Sequence, residues 1–366
     1  MTDDLAAPLA PGATIGILGG GQLGRMLSVA ASRLGFRTHI FDPSVAPPAG
    51  HVADRITTAG YEDEAALRSF AATVDVITYE FENIPTTALD VLEALKPIRP
   101  GREALRISQD RLTEKTFLQD LGLATAPFAE VSDARSLDAA LEQVGTPSIL
   151  KTRRFGYDGK GQARLMSPEE APEALAAMRG APALLEGFVA FTHEVSVIAA
   201  RSLDGKVACY DPGENVHLEG ILHTTTVPAN LNTGQSMDAV LMAGKILNAL
   251  DYVGVLGVEI FVTGHGLVVN EIAPRVHNSG HWTQQGCAID QFEQHIRAIA
   301  GWTLGNGQRY ADVVMENLIG DDIARLGDLA REPDCAIHLY GKSEAKPGRK
   351  MGHVNRLVRT EGRDGW

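Results

Sequence analysis

The chain has 366 residues, of which 44% are hydrophobic and 22% charged; these are ordinary values for a globular protein of two or three domains. Its net charge of −13 argues against nucleic acid or an anionic membrane as a main partner, and no apolar run is long enough to span a bilayer. The amino terminus is acidic and the three cysteines form no C-x-x-C pair, so we expect reduced thiols and a cytoplasmic location.

The first hundred residues predict a parallel sheet covered by helices. A tail that we expect to be loose extends to Pro11, and strand-like segments rich in apolar residues then alternate with helix-like ones. This alternation is typical of an α/β unit. The predicted strands are residues 14–18, 37–41 and 74–79.

A glycine-rich turn follows the first predicted strand. Gly19, Gly21 and Gly24 match G-x-G-x-x-G, and Asp42 lies at the distance expected of an acid that holds a ribose. The pattern fits an NAD-dependent oxidoreductase. It also fits a tight strand-to-helix turn, or a helix amino terminus that holds another phosphate. We favour the phosphate interpretation because the stronger signals in this chain concern triphosphate chemistry.

The remaining two thirds predict an amphipathic helix and then a mainly antiparallel α+β part. Residues 111–118 read as a helix that begins a new unit, and residues 152–162 form a polar loop with regularly spaced glycines. The other predicted strands are 148–151, 183–186, 194–200, 207–210, 255–262 and 267–272, and the other predicted helices are 237–250 and 291–300.

Two acids lie on a predicted hairpin whose turn is Thr263 to Gly266. A strict four-residue turn places Glu259 opposite Asn270. A longer loop or a β-bulge places it opposite Glu271. Two carboxylates on an otherwise apolar hairpin suit magnesium, which takes its other ligands from phosphate and water. The alternative is a polar strand edge that faces solvent.

Three further features are weak when taken singly. Lys151 precedes the glycine-spaced loop, whose N–H groups could surround phosphate oxygens, although the pattern is not that of a Walker loop. The backbone after Glu186 could bind a purine edge, and Glu194 could accept from ribose hydroxyls. Each feature is equally well explained as a flexible turn, a strand exit or a solvent-facing acid.

The segment 270–281 carries an acid, a guanidinium, two imidazoles, amides and a hydroxyl within twelve positions. It directly follows an apolar strand. This concentration of polar groups predicts a place where a divalent metal, phosphate oxygens and a small anion come together.

In this order the motifs resemble the 5-(carboxyamino)imidazole ribonucleotide synthetase (PurK) family of the ATP-grasp superfamily. The resemblance implies an α/β and α+β chain: an ATP-grasp fold with an N-terminal Rossmann-like, pre-ATP-grasp domain. The matching segments are residues 21–26, 110–113, 156–162, 270–282 and 347–353. The implied domains are the Rossmann-like domain (1–108), an ATP-grasp lid (109–190) and a C-terminal domain with the metal site and a substrate-binding segment (191–366).

The resemblance also implies cofactors, partners and site residues. It implies ATP with Mg²⁺ (Mn²⁺ is possible), bicarbonate and 5-aminoimidazole ribonucleotide as small-molecule substrates, and a homodimer. Implied ATP residues are Arg111, Lys151, Gly156, Tyr157, Asp158, Gly159, Lys160, Gly161, Gln162, Glu186, Gly187, Phe188, Val189, Glu194, His217, Asn270 and Glu271. Implied metal ligands are Glu259 and Glu271. Implied residues around bicarbonate and the reacting amine are Glu80, Tyr157, Lys160, Arg275, His277, Asn278, Ser279 and Lys342. Implied ribonucleotide residues are Gly21, Gln22, Leu23, Asp158, Lys342, Arg349 and Lys350.

Two positions depart from related patterns. Many ATP-grasp enzymes carry a metal-binding asparagine where this chain has Ala273. The alanine disfavours a generic ATP-grasp assignment but fits the PurK family. Lys160 replaces an arginine of some relatives and so loses a bidentate fork.

The implied activity is ATP- and bicarbonate-dependent carboxylation of the exocyclic amine of aminoimidazole ribonucleotide through carboxyphosphate, in purine biosynthesis. The alternatives are a formate-dependent phosphoribosylglycinamide formyltransferase-type ligase, an NAD-dependent oxidoreductase and a non-catalytic nucleotide-binding regulator.

Overall fold

A computed structural model describes residues 7–156 and 160–358, which form three β-sheets with covering helices. The first sheet is parallel and has four strands. Its unit contains β1 (Thr14–Leu18), α1 (Gln22–Arg33), β2 (Arg37–Asp42), β3 (Arg55–Thr58), α2 (Glu64–Ala71), β4 (Val76–Tyr79), α3 (Thr86–Glu93) and α4 (Arg102–Ser108), with strand order β3-β2-β1-β4.

The second sheet is antiparallel and also has four strands. Its unit contains α5 (Arg111–Asp120), β5 (Phe128–Val131), α6 (Ala134–Val144), β6 (Ser148–Thr152), β7 (Gln162–Leu165), α7 (Ala171–Ala177) and β8 (Ala183–Gly187), with strand order β5-β8-β6-β7. We call this unit the lid. Its buried apolar residues, Leu137 and Leu150 among them, form a cluster of their own. The four strands with α6 and α7 therefore have a core of their own, whereas Leu118 of α5 is buried together with apolar residues of the nine-stranded sheet such as Val195.

The third sheet has nine strands, all in antiparallel pairs. Its unit contains β9 (His193–Arg201), β10 (Val207–Cys209), β11 (Gly213–Leu218), β12 (Ile221–Val227), α8 (Thr233–Ala249), β13 (Gly254–Thr263), β14 (Gly266–Ala273), α9 (Thr283–Gly286), α10 (Gln291–Ile299), β15 (Asp312–Ile319), α11 (Leu326–Leu329), β16 (Cys335–Leu339) and β17 (Lys350–Val358). The strand order is β14-β13-β9-β11-β12-β15-β17-β16, and β10 pairs with β9. Short 3₁₀ helices span Pro48–His51, Pro168–Glu170, Asn278–Gly280 and Gly320–Arg325.

The predicted α/β part followed by an α+β part is confirmed, and each predicted strand lies within two residues of an observed one. Helix α8 begins four residues earlier than predicted, because the Asn232 side chain caps it by accepting from the N–H of Gln235. The sequence analysis did not predict β3, β5, β7, β11, β12 or β15 to β17. No helix within the described residues is long and apolar enough to cross a membrane.

The expectation of a loose tail up to Pro11 is wrong for its described part. The N–H of Leu9 donates to the carbonyl of Ala300 at 2.8 Å, and the indole Nε1 of Trp302 donates to the carbonyl of Leu9 at 2.8 Å. These bonds tie the segment to the end of α10. Residues 1–6 lie outside the described residues.

One face of the first sheet shares a hydrophobic core with the nine-stranded sheet. Ile15 and Leu27 of the first unit belong to the same buried cluster as Phe292 and Ile296 of α10. His295 makes a polar link across this junction. Its Nδ1 accepts from the N–H of Val255 at 3.1 Å, and its Nε2 contacts Thr78 Oγ1 at 2.8 Å. Because Nδ1 accepts, we assign the proton to Nε2.

We predict that His295 makes the protein less stable as pH falls. Burial lowers the pKa of His295 to about 3. In the unfolded chain its pKa is about 6.5, so the unfolded state binds the extra proton between these values. The free energy of unfolding should fall by about 1 kcal/mol per pH unit from this residue below about pH 6. Urea unfolding of wild type and His295→Gln between pH 7.5 and 5 measures this contribution; equal pH slopes would contradict it.

Candidate active site

The centre of the site is the hairpin of β13 and β14. Thr263 pairs with Gly266, and the register shifts beyond Ile260 so that Glu259 pairs with Glu271. Asn270 is the extra residue of this β-bulge. Of the two pairings left open by the sequence, the structure therefore contains the one with the acids opposite each other. Residues opposite in an antiparallel pair share one face of the sheet, so both carboxylates face the same side.

The two acids experience different electrostatic environments. Burial and the charge of Glu271 raise the pKa of Glu259 to about 8. Burial also opposes ionisation of Glu271, but Arg111 and Lys151 outweigh it and lower the pKa of that carboxyl. An acid pair held in this way has room for an additional cation. Within residues 7–156 and 160–358 no group of three or more His, Cys, Asp or Glu could hold a metal ion by itself. Two carboxylates without further protein ligands suit Mg²⁺, which keeps water and phosphate oxygens.

Cations surround this acid pair on the lid side. Arg111 Nη1 lies 3.2 Å from Glu271 Oε2, and its Nη2 donates to the carbonyl of Gly156 at 3.4 Å. Lys151 Nζ lies 2.9 Å and Lys115 Nζ 3.5 Å from Glu186 Oε2. Burial works against ionisation of Glu186, but the two lysines outweigh it and lower its pKa to about 2. Lys115 is almost completely buried, so it is Arg111 and Lys151 that form a positively charged wall suited to phosphate oxygens.

Residues 186–189, at the end of β8 and just after it, form a strap beside this wall. The N–H of Gly187 donates to the carbonyl of Pro127 at 2.8 Å, and the N–H of Phe188 donates to the carbonyl of Pro147 at 3.0 Å. Two backbone donors of the predicted purine-binding segment, which extends to Val189, are therefore engaged within the protein.

Glu194 and His217 lie together on neighbouring strands. Glu194 Oε2 is 3.1 Å from His217 Nδ1. Burial disfavours a charged His217, but the hydrogen bond and the charge of Glu194 together raise its pKa. The pair is therefore a polar group at the margin of the site.

A chain of close polar contacts connects the acid pair to the polar run after β14. His277 Nε2 lies 3.3 Å from Glu259 Oε1, and its Nδ1 lies 2.8 Å from Ser279 Oγ, which Ser196 Oγ contacts at 2.6 Å. Burial and the neighbouring Arg275 hold the pKa of His277 well below its ordinary value, so the imidazole is neutral. A Cβ at Gly257 would lie 2.8 Å from the His277 Cβ, so glycine is what allows this close approach.

Arg275 and Asn278 complete the polar run. Arg275 Nη2 lies 2.9 Å from Glu82 Oε1. Neither side-chain amide atom of Asn278 has a hydrogen-bond partner among the described residues, although both atoms are buried. Buried amide groups without partners are rare in proteins, and a small polar ligand would satisfy them.

The glycine-rich turn is occupied by protein carboxylates. The N–H of Gly20 donates to Asp42 Oδ2 at 2.7 Å, and those of Gly21 and Gly24 donate to Glu80 at 2.6 and 2.9 Å. In this structure these amides are therefore engaged by protein carboxylates, and the phosphate interpretation of the turn stays a prediction. Glu80 lies at the amino terminus of α1, where the helix dipole favours negative charge. Asp42 likewise accepts from the turn itself, which disfavours the dinucleotide interpretation.

The connection from β16 to β17 brings three predicted basic residues close together in the chain. Lys342 Nζ donates to the carbonyl of Lys350 at 2.7 Å, and Arg349 Nη1 donates to the carbonyl of Glu344 at 3.0 Å. Burial lowers the pKa of Lys342 to about 8. Its ammonium is therefore poised to titrate near neutral pH.

The glycine-spaced loop is described only in part. Tyr157, Asp158 and Gly159 lie outside the described residues. Lys160 is exposed, and the carbonyl of Gly161 accepts from the N–H of Thr152 at 2.8 Å. Gln162 begins β7 and pairs with Lys151. The described end of the loop is thus anchored beside the lysine of the charged wall.

Sequence reasoning missed four residues of this site. Glu82 lies two positions after Glu80, and this spacing of two acids could have marked it as a site residue. Glu114 and Lys115 lie one helical turn after Arg111, a periodicity that also could have found them. Ser196 sits inside an apolar strand and carried no signal.

Three family sequence profiles match successive parts of the chain. The ribonucleotide synthetase preATP-grasp domain matches residues 12–109, the ATP-grasp domain residues 116–292, and the phosphoribosylaminoimidazole carboxylase C-terminal domain residues 313–363. The expected ATP-grasp fold with a preceding Rossmann-like domain is thereby confirmed.

Similar proteins match along almost their entire length. The chain is 56% identical to the N5-carboxyaminoimidazole ribonucleotide synthase of Brucella melitensis over 352 residues, or 95% of this chain and 97% of the relative. An ADP complex of an N5-carboxyaminoimidazole ribonucleotide synthetase has a TM-score of 0.94 at 42% identity, covering 96% of this chain and 94% of that one. The Aspergillus clavatus synthase, solved with ADP and 5-aminoimidazole ribonucleotide, has a TM-score of 0.89 at 33% identity, covering 95% and 94%. The chain therefore belongs to the N5-carboxyaminoimidazole ribonucleotide synthase family of ATP-grasp enzymes.

Proposed function

We propose that this protein carboxylates the exocyclic amine of 5-aminoimidazole ribonucleotide, using ATP and bicarbonate and releasing ADP and phosphate, in purine biosynthesis. The observation that carries the proposal is the contact between His277 Nε2 and Glu259 Oε1 at 3.3 Å. This contact joins the acid pair that suits a phosphate-bound cation to the pocket that suits a small anion. Family membership independently supports the same reaction.

ATP would lie between the lid and the nine-stranded sheet. Lys151 and Arg111 would contact phosphate oxygens, together with the glycine-spaced loop that ends at Gln162. The strap from Glu186 to Val189 would face the purine, and Glu194 with His217 would face the ribose. Asn270, the bulged residue next to Glu271, would lie beside the nucleotide.

The acid pair would hold Mg²⁺, or Mn²⁺ in its place. When bound, the ion would neutralise charge on the phosphate oxygens during phosphoryl transfer. Glu271 is ionised and Glu259 lies opposite it, so both ligands are supplied by adjacent strands of one rigid sheet. Glu259 would lose its proton when the cation replaces it as the partner of Glu271.

Bicarbonate is a poor electrophile until phosphorylation gives it a leaving group. One of its oxygens would attack the γ-phosphorus of ATP, forming an O–P bond as the bond to ADP breaks. The amine of the ribonucleotide would then bond to the carboxyl carbon as the C–O bond to phosphate breaks, and the leaving phosphate would take up the amine proton. Arg275 and the amide of Asn278 would hold the small anion in line. Closure of the lid would exclude water from the labile carboxyphosphate.

His277 is better suited to donate a hydrogen bond than to accept the proton of the amine. Its pKa is held well below the ordinary value by burial and by Arg275, so it is a weak base. Ser279 N–H and Oγ lie 3.4 and 2.8 Å from Nδ1, which assigns the proton to Nε2. We propose that this N–H orients a carboxyl group.

The ribonucleotide would lie between the first sheet and the connection from β16 to β17. Basic side chains there would hold its phosphate, and Glu80 would face its amine. The proposed residues are Gly21, Gln22, Leu23, Glu80, Tyr157, Asp158, Lys160, Lys342, Arg349 and Lys350. A homodimer in the cytoplasm and the domain limits after residues 108 and 190 remain predictions.

We expect phosphate release to require ATP, bicarbonate and aminoimidazole ribonucleotide together. Coupled phosphate assays that omit each component in turn measure this requirement, and mass spectrometry identifies the carboxylated product. Formate in place of bicarbonate should give only background release. Formate-dependent turnover of a glycinamide ribonucleotide would instead support the formyltransferase-type alternative, and binding of NADH without ATP would support an oxidoreductase.

We predict that Glu271→Gln lowers turnover by about a hundredfold or more, because it removes the ionised member of the acid pair. The free energy of unfolding should change by less than about 1 kcal/mol, since this side chain is partly exposed. Glu142→Gln, an exposed change on α6, is the control and should behave as wild type. Near-normal phosphate release by Glu271→Gln would refute the metal assignment.

We predict that activity depends on the charge of Lys342. Because burial lowers its pKa to about 8, the ammonium is lost above that pH. The kcat/KM for the ribonucleotide should then fall by about tenfold per pH unit above pH 8. Lys342→Arg keeps its charge and should give a flat profile to about pH 9.5. A wild-type profile that stays flat through pH 9 would remove Lys342 from substrate binding.

A further inference from the structure

The outer edge of β14 is closed by the segment that begins with α5. Strand β14 lies at one end of the nine-stranded sheet, so one side of its backbone has no partner strand within that sheet. The N–H of Val269 donates to the carbonyl of Ala124 at 2.8 Å. The carbonyl of Asn270 accepts from Lys115 Nζ at 2.7 Å, and the N–H of Ile272 donates to Glu114 Oε1 at 2.8 Å. These bonds satisfy groups that an open strand edge would expose.

The two side-chain bonds lie on either side of Glu271. Lys115 holds the residue before it and Glu114 the residue after it, while Arg111 contacts the Glu271 carboxylate itself at 3.2 Å. Positions separated by three and four residues lie on one face of a helix. One face of α5 therefore contacts the backbone and the side chain of the bulge.

Both backbone contacts are made by buried ionisable groups. Lys115 is 1% exposed and Glu114 is 2% exposed. Residues of these types are rarely buried so completely unless paired, because desolvating a charge is costly. Lys115 Nζ also lies 3.5 Å from Glu186 Oε2, so it connects the bulge to the end of β8. Covering a strand edge alone requires no such residues.

The register of the hairpin decides whether the two acids face each other, and these contacts bear on that register. Without the bulge, the turn from Thr263 to Gly266 would place Asn270 opposite Glu259, and Glu271 would point to the other face. The bonds to Asn270 and Ile272 are formed in the bulged register. They therefore favour the arrangement in which the two acids meet.

We propose that Glu114 and Lys115 are positioning residues that hold the bulge at Asn270, so that Glu271 faces Glu259 and the pair can bind a divalent cation. This inference rests on the proposed metal site. Neither residue touches the cation or the reacting atoms; each acts through the backbone of β14.

The test measures metal binding directly. Lys115→Met removes the donor and Glu114→Ala the acceptor, whereas Glu114→Gln keeps an acceptor oxygen. Asp120→Asn, an exposed change on the same helix, is the matched control. Electron paramagnetic resonance follows Mn²⁺ binding to the ADP-saturated protein. Phosphate release measures the Mg²⁺ concentration for half-maximal activity and the KM for the ribonucleotide.

We expect Lys115→Met and Glu114→Ala to weaken Mn²⁺ binding by about tenfold or more and to raise the Mg²⁺ requirement to match. The ribonucleotide KM should change by less than about twofold, and Glu114→Gln should recover Mn²⁺ affinity to within about threefold of wild type. Unchanged Mn²⁺ affinity in variants with a lowered Tm would overturn the inference, because the residues would then only stabilise the edge.

Two further measurements make the outcome unambiguous. If Lys115→Met does not fold, Lys115→Gln replaces it and should show an intermediate loss of Mn²⁺ affinity; wild-type affinity would overturn the inference. Failure of the metal site itself has a different signature. Wild type would then bind no Mn²⁺ with ADP, or Glu271→Gln would bind it normally, and both proposals would fall. Normal wild-type binding with unaffected positioning variants refutes the positioning role alone.

Discussion

The site depends on one extra residue in an edge strand. Side chains alternate between the faces of a strand, so the bulge at Asn270 decides which residues of β14 accompany Glu259. The same bulge sets the direction in which the chain leaves the strand towards Arg275 and His277. The acid pair and the anion pocket are therefore parts of one backbone arrangement.

Charge compensation is the second organising principle of this region. Glu186, Glu271 and Glu82 each form an ion pair with a lysine or arginine, whereas Glu259, among the described residues, is paired only with the neutral His277. The imbalance is concentrated at Glu259, whose pKa is raised to about 8. A cation bound beside the pair, as proposed above, would remove this imbalance.

Periodicity predicted those parts of the structure in which local pattern and packing agree. Alternating apolar residues located β13 and β14 to within one residue, and the acids on them marked the site. The choice between Asn270 and Glu271 as the partner of Glu259 could not be made, because loop length and bulge have equivalent effects on register. The observed register is the one in which contacts from α5, more than 150 positions away in the chain, are formed on either side of Glu271.

The partner of the glycine motif could not be predicted, for a related reason. The pattern of Gly19 to Gly24 predicts a turn whose N–H groups point away from the strand and helix bonds, but which anion accepts from them depends on the tertiary structure. Glu80 and Asp42 reach the turn from the ends of neighbouring strands, and they fill it without any ligand. Strands β15 to β17 were missed because their sequences do not alternate clearly between apolar and polar residues.

The core shared between the first sheet and α10 has a consequence for how the chain folds. The lid can collapse on local contacts, because its buried cluster lies within a single stretch of sequence. One face of the first sheet instead packs against residues nearly three hundred positions further along the chain, such as Phe292 and Ile296, and cannot be buried until they have been synthesised. During synthesis on the ribosome, the middle of the chain can therefore complete its core before the beginning does.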